Sequence, residues 1–172
     1  MKINLLYDYP LRGATFENTA KILLRRRNDN NFIFCCRQFD SIDEIIIKYR
    51  LDCSKISLAV NDLRCNGLHS DLIEFYMEDK INRIISTINF YDVKSRLIQS
   101  PFKYFEMCIS DYEFMTNIQK LNCNSYIISI LLFENWRFDF EVYTFNNARI
   151  RVYDSSEKKT LFFTNSNKQD II

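Results

Sequence analysis

Glycine and proline are nearly missing from this 172-residue chain, which has two of each. Glycine-dependent phosphate loops and glycine-flanked nucleophile elbows are therefore excluded, and most sharp turns must be made by Asn and Asp. Histidine occurs once, at His69. Any Ser or Cys mechanism with an imidazole base would depend on that residue alone, and no second His can help complete a zinc site. The six cysteines (Cys35, Cys36, Cys53, Cys65, Cys108 and Cys123) include no CxxC pair. An excess of charge of one sign is absent too, with 23 Lys and Arg against 22 Asp and Glu. No chain-wide field draws the protein to nucleic acid or to anionic membrane, so nucleic acid is disfavoured as a partner, and a net charge near zero favours self-association. No apolar run approaches the ~20 residues that cross a bilayer. The N-terminal apolar run is broken by Asp8 before a signal-peptide core could form, so the expectation is an intracellular, cytoplasmic protein with reduced thiols.

What the chain does hold is apolar and aromatic surface. Fifteen Phe and ten Tyr, within a 47% hydrophobic composition, are enough for one compact domain over 1–172 with a frayed tail at 168–172. The richness in Asn, Ile, Lys, Phe and Tyr points to AT-rich coding DNA, as in a virus, a parasite or an AT-rich bacterium.

The segment 125–164 is the clearest stretch. In 136–143 the even positions Trp136, Phe138, Phe140 and Val142 are apolar, whereas Arg137, Asp139 and Glu141 are charged, which is the alternation of a half-buried strand. Asn146 and Asn147 supply turn chemistry, and 149–153 alternates again. A three-residue loop over 145–147 keeps the apolar faces matched and predicts Val142 opposite Ile150, Phe140 opposite Val152, and an ion pair of Glu141 with Arg151.

Upstream, strands and helices alternate. Strands are predicted over 2–9, 32–39 and near 56–60, and helices after Thr15, after Ser41, over 71–86 from a cap at Ser70, over 92–99 and after Ser110. Ser41 with Glu44 and Ser110 with Glu113 read as capping boxes, each following an apolar strand that contains a cysteine. The triplet Arg25, Arg26 and Arg27 reads as cations complementing a helix C-terminus. The predicted class is α/β to α+β: a mixed sheet with helices on at least one face, ending in an antiparallel meander.

Candidate chemistry is sparse. His69 with Asp71 is a weak metal site, short of ligands. Asp139 and Glu141, two residues apart on a strand, point the same way and could hold Mg²⁺ as hydrolytic nucleases do, but no lysine follows them where such a pair usually has one. Aromatic and basic residues interleave around Trp136 and Arg151, yet the alternation turns the aromatics to the core and away from bases. No cofactor is predicted. The expectation is a non-enzymatic module that binds a protein partner or itself as a homo-oligomer, such as an accessory or structural protein of a virus. The alternatives are a metal-dependent hydrolase or nuclease using Asp139 and Glu141, and an inhibitor or immunity-type protein that blocks one partner.

Overall fold

A computed structural model describes residues 9–27, 31–97, 104–132, 138–145, 151–154, 158–162 and 168–169. The fold is of the α/β to α+β class, as the sequence predicts. Four helices, α1 (Tyr9–Arg27), α2 (Ile42–Tyr49), α3 (Ser57–Asn66) and α4 (Ile109–Gln119), accompany nine strands. These are β1 (Asn31–Cys35), β2 (Leu72–Asp79), β3 (Ile84–Leu97), β4 (Tyr104–Cys108), β5 (Asn124–Leu132), β6 (Phe138–Thr144), β7 (Arg151–Asp154), β8 (Lys158–Phe162) and β9 (Lys168–Gln169). The main sheet is mixed, in the order β1-β2-β3-β5-β6-β9, and a smaller sheet runs β4-β8-β7. β3 and β5 are parallel, Asn89 to Leu97 beside Asn124 to Leu132, and the chain segment joining them carries β4 and α4.

The two faces of the main sheet bury different cores. On one, Phe16, Ala20 and Leu24 of α1 pack on Ile33, Leu72, Tyr91, Ile128 and Ile130. On the other, α2, α3 and α4 cover Ile73, Phe75, Phe90, Ile127 and Tyr143. Because β2 is buried on both sides, its apolar residues run on continuously instead of alternating.

That continuity explains the main departure from expectation. Residues 71–86 form no helix; they are β2, a turn and the start of β3. Ile73, Tyr76 and Met77 fall at helical spacing, but the turn is made by Asp79, whose Oδ1 accepts from the backbone N–H of Ile81 at 2.9 Å and of Asn82 at 3.1 Å, with Arg83 at φ 54°. An Asx turn without glycine closes this hairpin. Residues 92–97, predicted helical, belong to the long strand β3, and 56–60, predicted as strand, run from the end of a short 3-10 turn into α3. Tyr9 opens α1, and the rest of the predicted first strand lies outside the described residues.

The predicted hairpin of 136–143 with 149–153 does not form. β6 pairs with β5, placing Glu141 opposite Ser129 and Val142 opposite Ile128, and β9 takes its other edge. β7 instead pairs with β8 in the small sheet, so Arg151 lies opposite Phe162 and not Glu141. Alternation placed Val142 and Phe140 of β6 against the core, as the structure has them, but it carries no information about which partner fills the edge. The turn residues Asn146 and Asn147 lie outside the described residues. The last strands pair antiparallel as expected, but across two sheets.

The first capping box is present: Ser41 Oγ accepts from Glu44 N–H at 3.3 Å, and Glu44 Oε2 in turn accepts from Asp40 N–H at 3.1 Å. The second is not. α4 starts at Ile109 with Cys108 as its cap, which leaves Ser110 inside the first turn, its hydroxyl 3.1 Å from Cys108 Sγ, and frees Glu113. None of the six cysteines is in a disulfide.

α3 ends at Gly67, whose φ of 78° and ψ of −174° lie where only glycine is at ease. This residue turns the chain out of α3 into the short loop that delivers His69, Ser70 and Asp71 to β2. Gly67→Ala is expected to cost about 1–3 kcal/mol of stability, measured by denaturant melts; an unchanged midpoint would show that the backbone relaxes freely.

Candidate active site

Asp71 sits one residue before β2, where the chain bends into the strand. Its N–H donates to Tyr91 C=O at 3.1 Å, and its C=O accepts from Cys36 N–H at 2.9 Å. Strand alternation puts Asp71 on the face of Ile73 and Phe75, and Asp92 and Lys94 on the face of Phe90, which is the same face. The hairpin thus brings Asp71 beside Asp92. Asp71 Oδ2 accepts from Val93 N–H at 2.7 Å, which locks the carboxyl across the strand pair.

Asp92 is 8% exposed at its side chain, and its Oδ2 lies 2.9 Å from Lys94 Nζ. The contact is ionic in distance but poor in angle, since no hydrogen bond of good geometry reaches that buried oxygen. Burial first, then the negative charge of Asp92 and their mutual contact, push the Asp71 carboxyl up to about 8, and Val93 N–H and Lys94 only partly oppose this. For Lys94, burial disfavours the cation, but Asp92 first and then Asp71 and Asp111 outweigh it and hold the ammonium above its ordinary value. Two adjoining carboxylates, one of them paired with a single lysine, form a site with excess negative charge.

Around them lies a cavity of about 250 Å³ lined by Leu68, His69, Ser70, Asp71, Asp92 and Asp111. Behind the loop, Ser70 Oγ is 3.3 Å from Cys36 Sγ, and burial pushes that thiol up to about 12, so it is an inert filler. Glu17 on α1 approaches the same end of the sheet; its Oε2 is 3.0 Å from Arg37 Nε, and burial raises its carboxyl despite the arginine.

Among the described residues no three His, Cys, Asp or Glu side chains converge closely enough to hold a metal ion by themselves. Mg²⁺ does not require that, because it keeps several waters and is commonly held by one or two carboxylates plus substrate phosphate. Asp71 and Asp92 fit that requirement: both are anionic oxygen donors, one carries an unsatisfied buried oxygen, and their repulsion would be relieved by a cation.

Of the residues singled out by sequence, Asp71 is in this site, and His69 lines its cavity with its ring 5.7 Å from that of Phe114. Asp139 is exposed opposite Leu131, while Glu141 is half-buried and accepts from Tyr143 Oη at 2.5 Å. They do share a face, as expected, but lie on β6, separated from Lys94 by β5. Sequence reasoning missed Asp92 and Lys94. Their signal was present: an acid and a lysine two residues apart, on a stretch read as helix. Glu74 points to the opposite face, where Asn31, Asn89 and Tyr91 donate to its carboxylate.

No family model matches the chain, and no curated protein does. Among solved structures it is similar to Hjc, a Holliday junction resolvase from Archaeoglobus fulgidus, with 11% identity over 93% of this chain and 92% of that one and a TM-score of 0.46. That match is to a nuclease, not to a binding or structural protein. The expectations of a non-enzymatic protein-binding or viral accessory module, and of a chain that does not engage nucleic acid, rested on the lack of a convergent polar set; Asp71, Asp92 and Lys94 are such a set, and those expectations are withdrawn. Identity and TM-score this low bear on neither substrate nor chemistry, which have to come from the side chains. Those side chains supply the convergent set that the sequence reading did not find. Among the described residues, no helix is long and apolar enough to cross a membrane.

Proposed function

We propose that this chain is a divalent-metal-dependent phosphodiester hydrolase acting on nucleic acid in the cytoplasm, with Asp71, Asp92 and Lys94 as its active centre. The observation that supports it is the packing of two carboxylates and a lysine at one point of the sheet, on a cavity, at a cost to the ionisation of Asp71. A bound Mg²⁺ or Mn²⁺ would polarise a phosphoryl oxygen and ionise a water at neutral pH. The protein's part is positioning and charge. Val93 N–H fixes Asp71, and the rigid β2–β3 hairpin holds Asp92 against it. Lys94, released from full pairing once a cation shares Asp92, is placed to offset the charge that develops on the phosphoryl oxygens. His69, Ser70 and Asp111 form the walls that limit water.

The test is cleavage of labelled four-way junction and linear duplex DNA by the purified protein with Mg²⁺ or Mn²⁺, with and without chelator. Metal-dependent cleavage of either is expected. A protein that binds neither DNA nor Mn²⁺ would end the proposal.

A further inference from the structure

A second cavity, of about 400 Å³, opens between the C-terminal end of α3 and the outer face of α4. It meets the first at His69, which lines both, and at the first turn of α4, where Asp111 faces one cavity and Ser110 the other. Its floor is apolar. Phe114 and Ile118 are buried there, and the Phe114 ring is held edge-on against Phe90 at 5.3 Å and 86°. Its rim is polar and of mixed charge, carrying Asp62, Asn66, Glu113, Asn117 and Lys120. Asn117 Oδ1 accepts from Lys120 Nζ at 3.1 Å, which turns its amide donor outward.

Glu113 is exposed, and among the described residues no hydrogen bond or ion pair occupies its carboxylate, since the capping role its sequence implies is not realised. An apolar floor with one fixed ring suits the face of a flat heterocycle. The Glu113 carboxylate can accept from ring and exocyclic N–H groups, while the Asn117 amide, its oxygen already taken by Lys120, can donate to a neighbouring carbonyl. Guanine alone among the common bases presents two adjacent N–H donors beside a carbonyl on one edge, and a carboxylate accepts from such a pair in parallel.

We propose that this cavity is a subsite for one unstacked guanine of the substrate, next to the phosphate held at Asp71 and Asp92. The inference rests on the nucleic-acid reading above and adds a base-specificity determinant, Glu113, with Asn117 as its partner on the rim.

The experiment has two arms. In the first, guanosine and uridine are titrated into the metal-free protein and amide shifts are followed by NMR. Guanosine is expected to perturb His69, the end of α3 and the first turn of α4 in a saturable way, uridine is not, and Glu113→Gln and Asn117→Ala should each weaken guanosine by about tenfold or more. In the second, kcat/KM is compared for oligonucleotides differing only at the base beside the cleaved bond. A guanine preference of about tenfold that falls toward one in Glu113→Gln is expected. Guanosine shifts without any cleavage would sink the hydrolase reading and leave the subsite standing. Cleavage without base preference, guanosine shifts elsewhere on the protein, or shifts indifferent to both variants would overturn the subsite.

Discussion

Asp92→Asn will reduce metal-dependent cleavage by about a thousandfold or more, whereas Asp139→Ala will leave it within about threefold, and both variants will melt as cooperatively as the parent. The two acids differ in what surrounds them. Asp139 is exposed at the edge of β6, and the aqueous screening it enjoys makes its charge weak at any distance. The Asp92 side chain is 8% exposed, touches Asp71, and is the first of the charges that hold Lys94 protonated. Asparagine keeps the volume of the carboxyl but not its charge. Asp71, relieved of its like-charged neighbour, would then ionise more readily and take Lys94 as its own partner, so the fold survives as a neutral pair. What the variant lacks is the net negative charge that attracts a cation. Retained cleavage in Asp92→Asn, or loss in Asp139→Ala, would move the active centre to β6 and refute the assignment made above.

How much of this was legible beforehand depended on the kind of signal. The helix after Thr15, the Ser41 cap and the strand character of 138–143 were read from local pattern, and the structure has them, because each is a local pattern satisfied by local geometry. The partner of β6 was not legible, since Val142 and Phe140 fit Ile128 and Ile130 as well as they would have fitted Ile150 and Val152. Nor was the β2–β3 hairpin, where a strand buried on both faces has no alternation to show and the turn is made by Asp79 in place of a glycine. That one misreading hid the site. On a helix, Asp71 and Asp92 would be remote, and an acid and a lysine two apart would point in different directions. On paired strands the same residues share one face and meet. The requirement for a lysine near an acidic strand residue was recognised, but it was tested at Asp139 and Glu141, because those lay in the stretch whose strand character was plain.

Asp71→Asn will raise the melting temperature at pH 8 and above and leave it nearly unchanged near pH 4. The folded protein holds the Asp71 carboxyl at about 8 against an ordinary value of 3.8, so folding favours its protonated form. Stability from this group is complete below the ordinary value and is lost as pH rises through the folded one, where a buried anion must sit against Asp92. The full displacement corresponds to ~6 kcal/mol; solvent access to a half-buried carboxyl reduces this to about 2–3 kcal/mol, or several degrees in melting temperature. Asparagine still accepts from Val93 N–H and can donate to Asp92, so the variant keeps the contacts without the charge. Thermal melts of both proteins at several values between pH 4 and 9 give the answer: a gap that widens with pH is expected, and a constant gap, or a parent more stable at pH 8, would show that Asp71 is an ordinary paired carboxylate. Millimolar Mn²⁺ should then reverse the order at pH 8, stabilising the parent by binding the folded state and not the variant. A protein that carries a carboxylate at a loss in its own stability carries it for what that carboxylate binds.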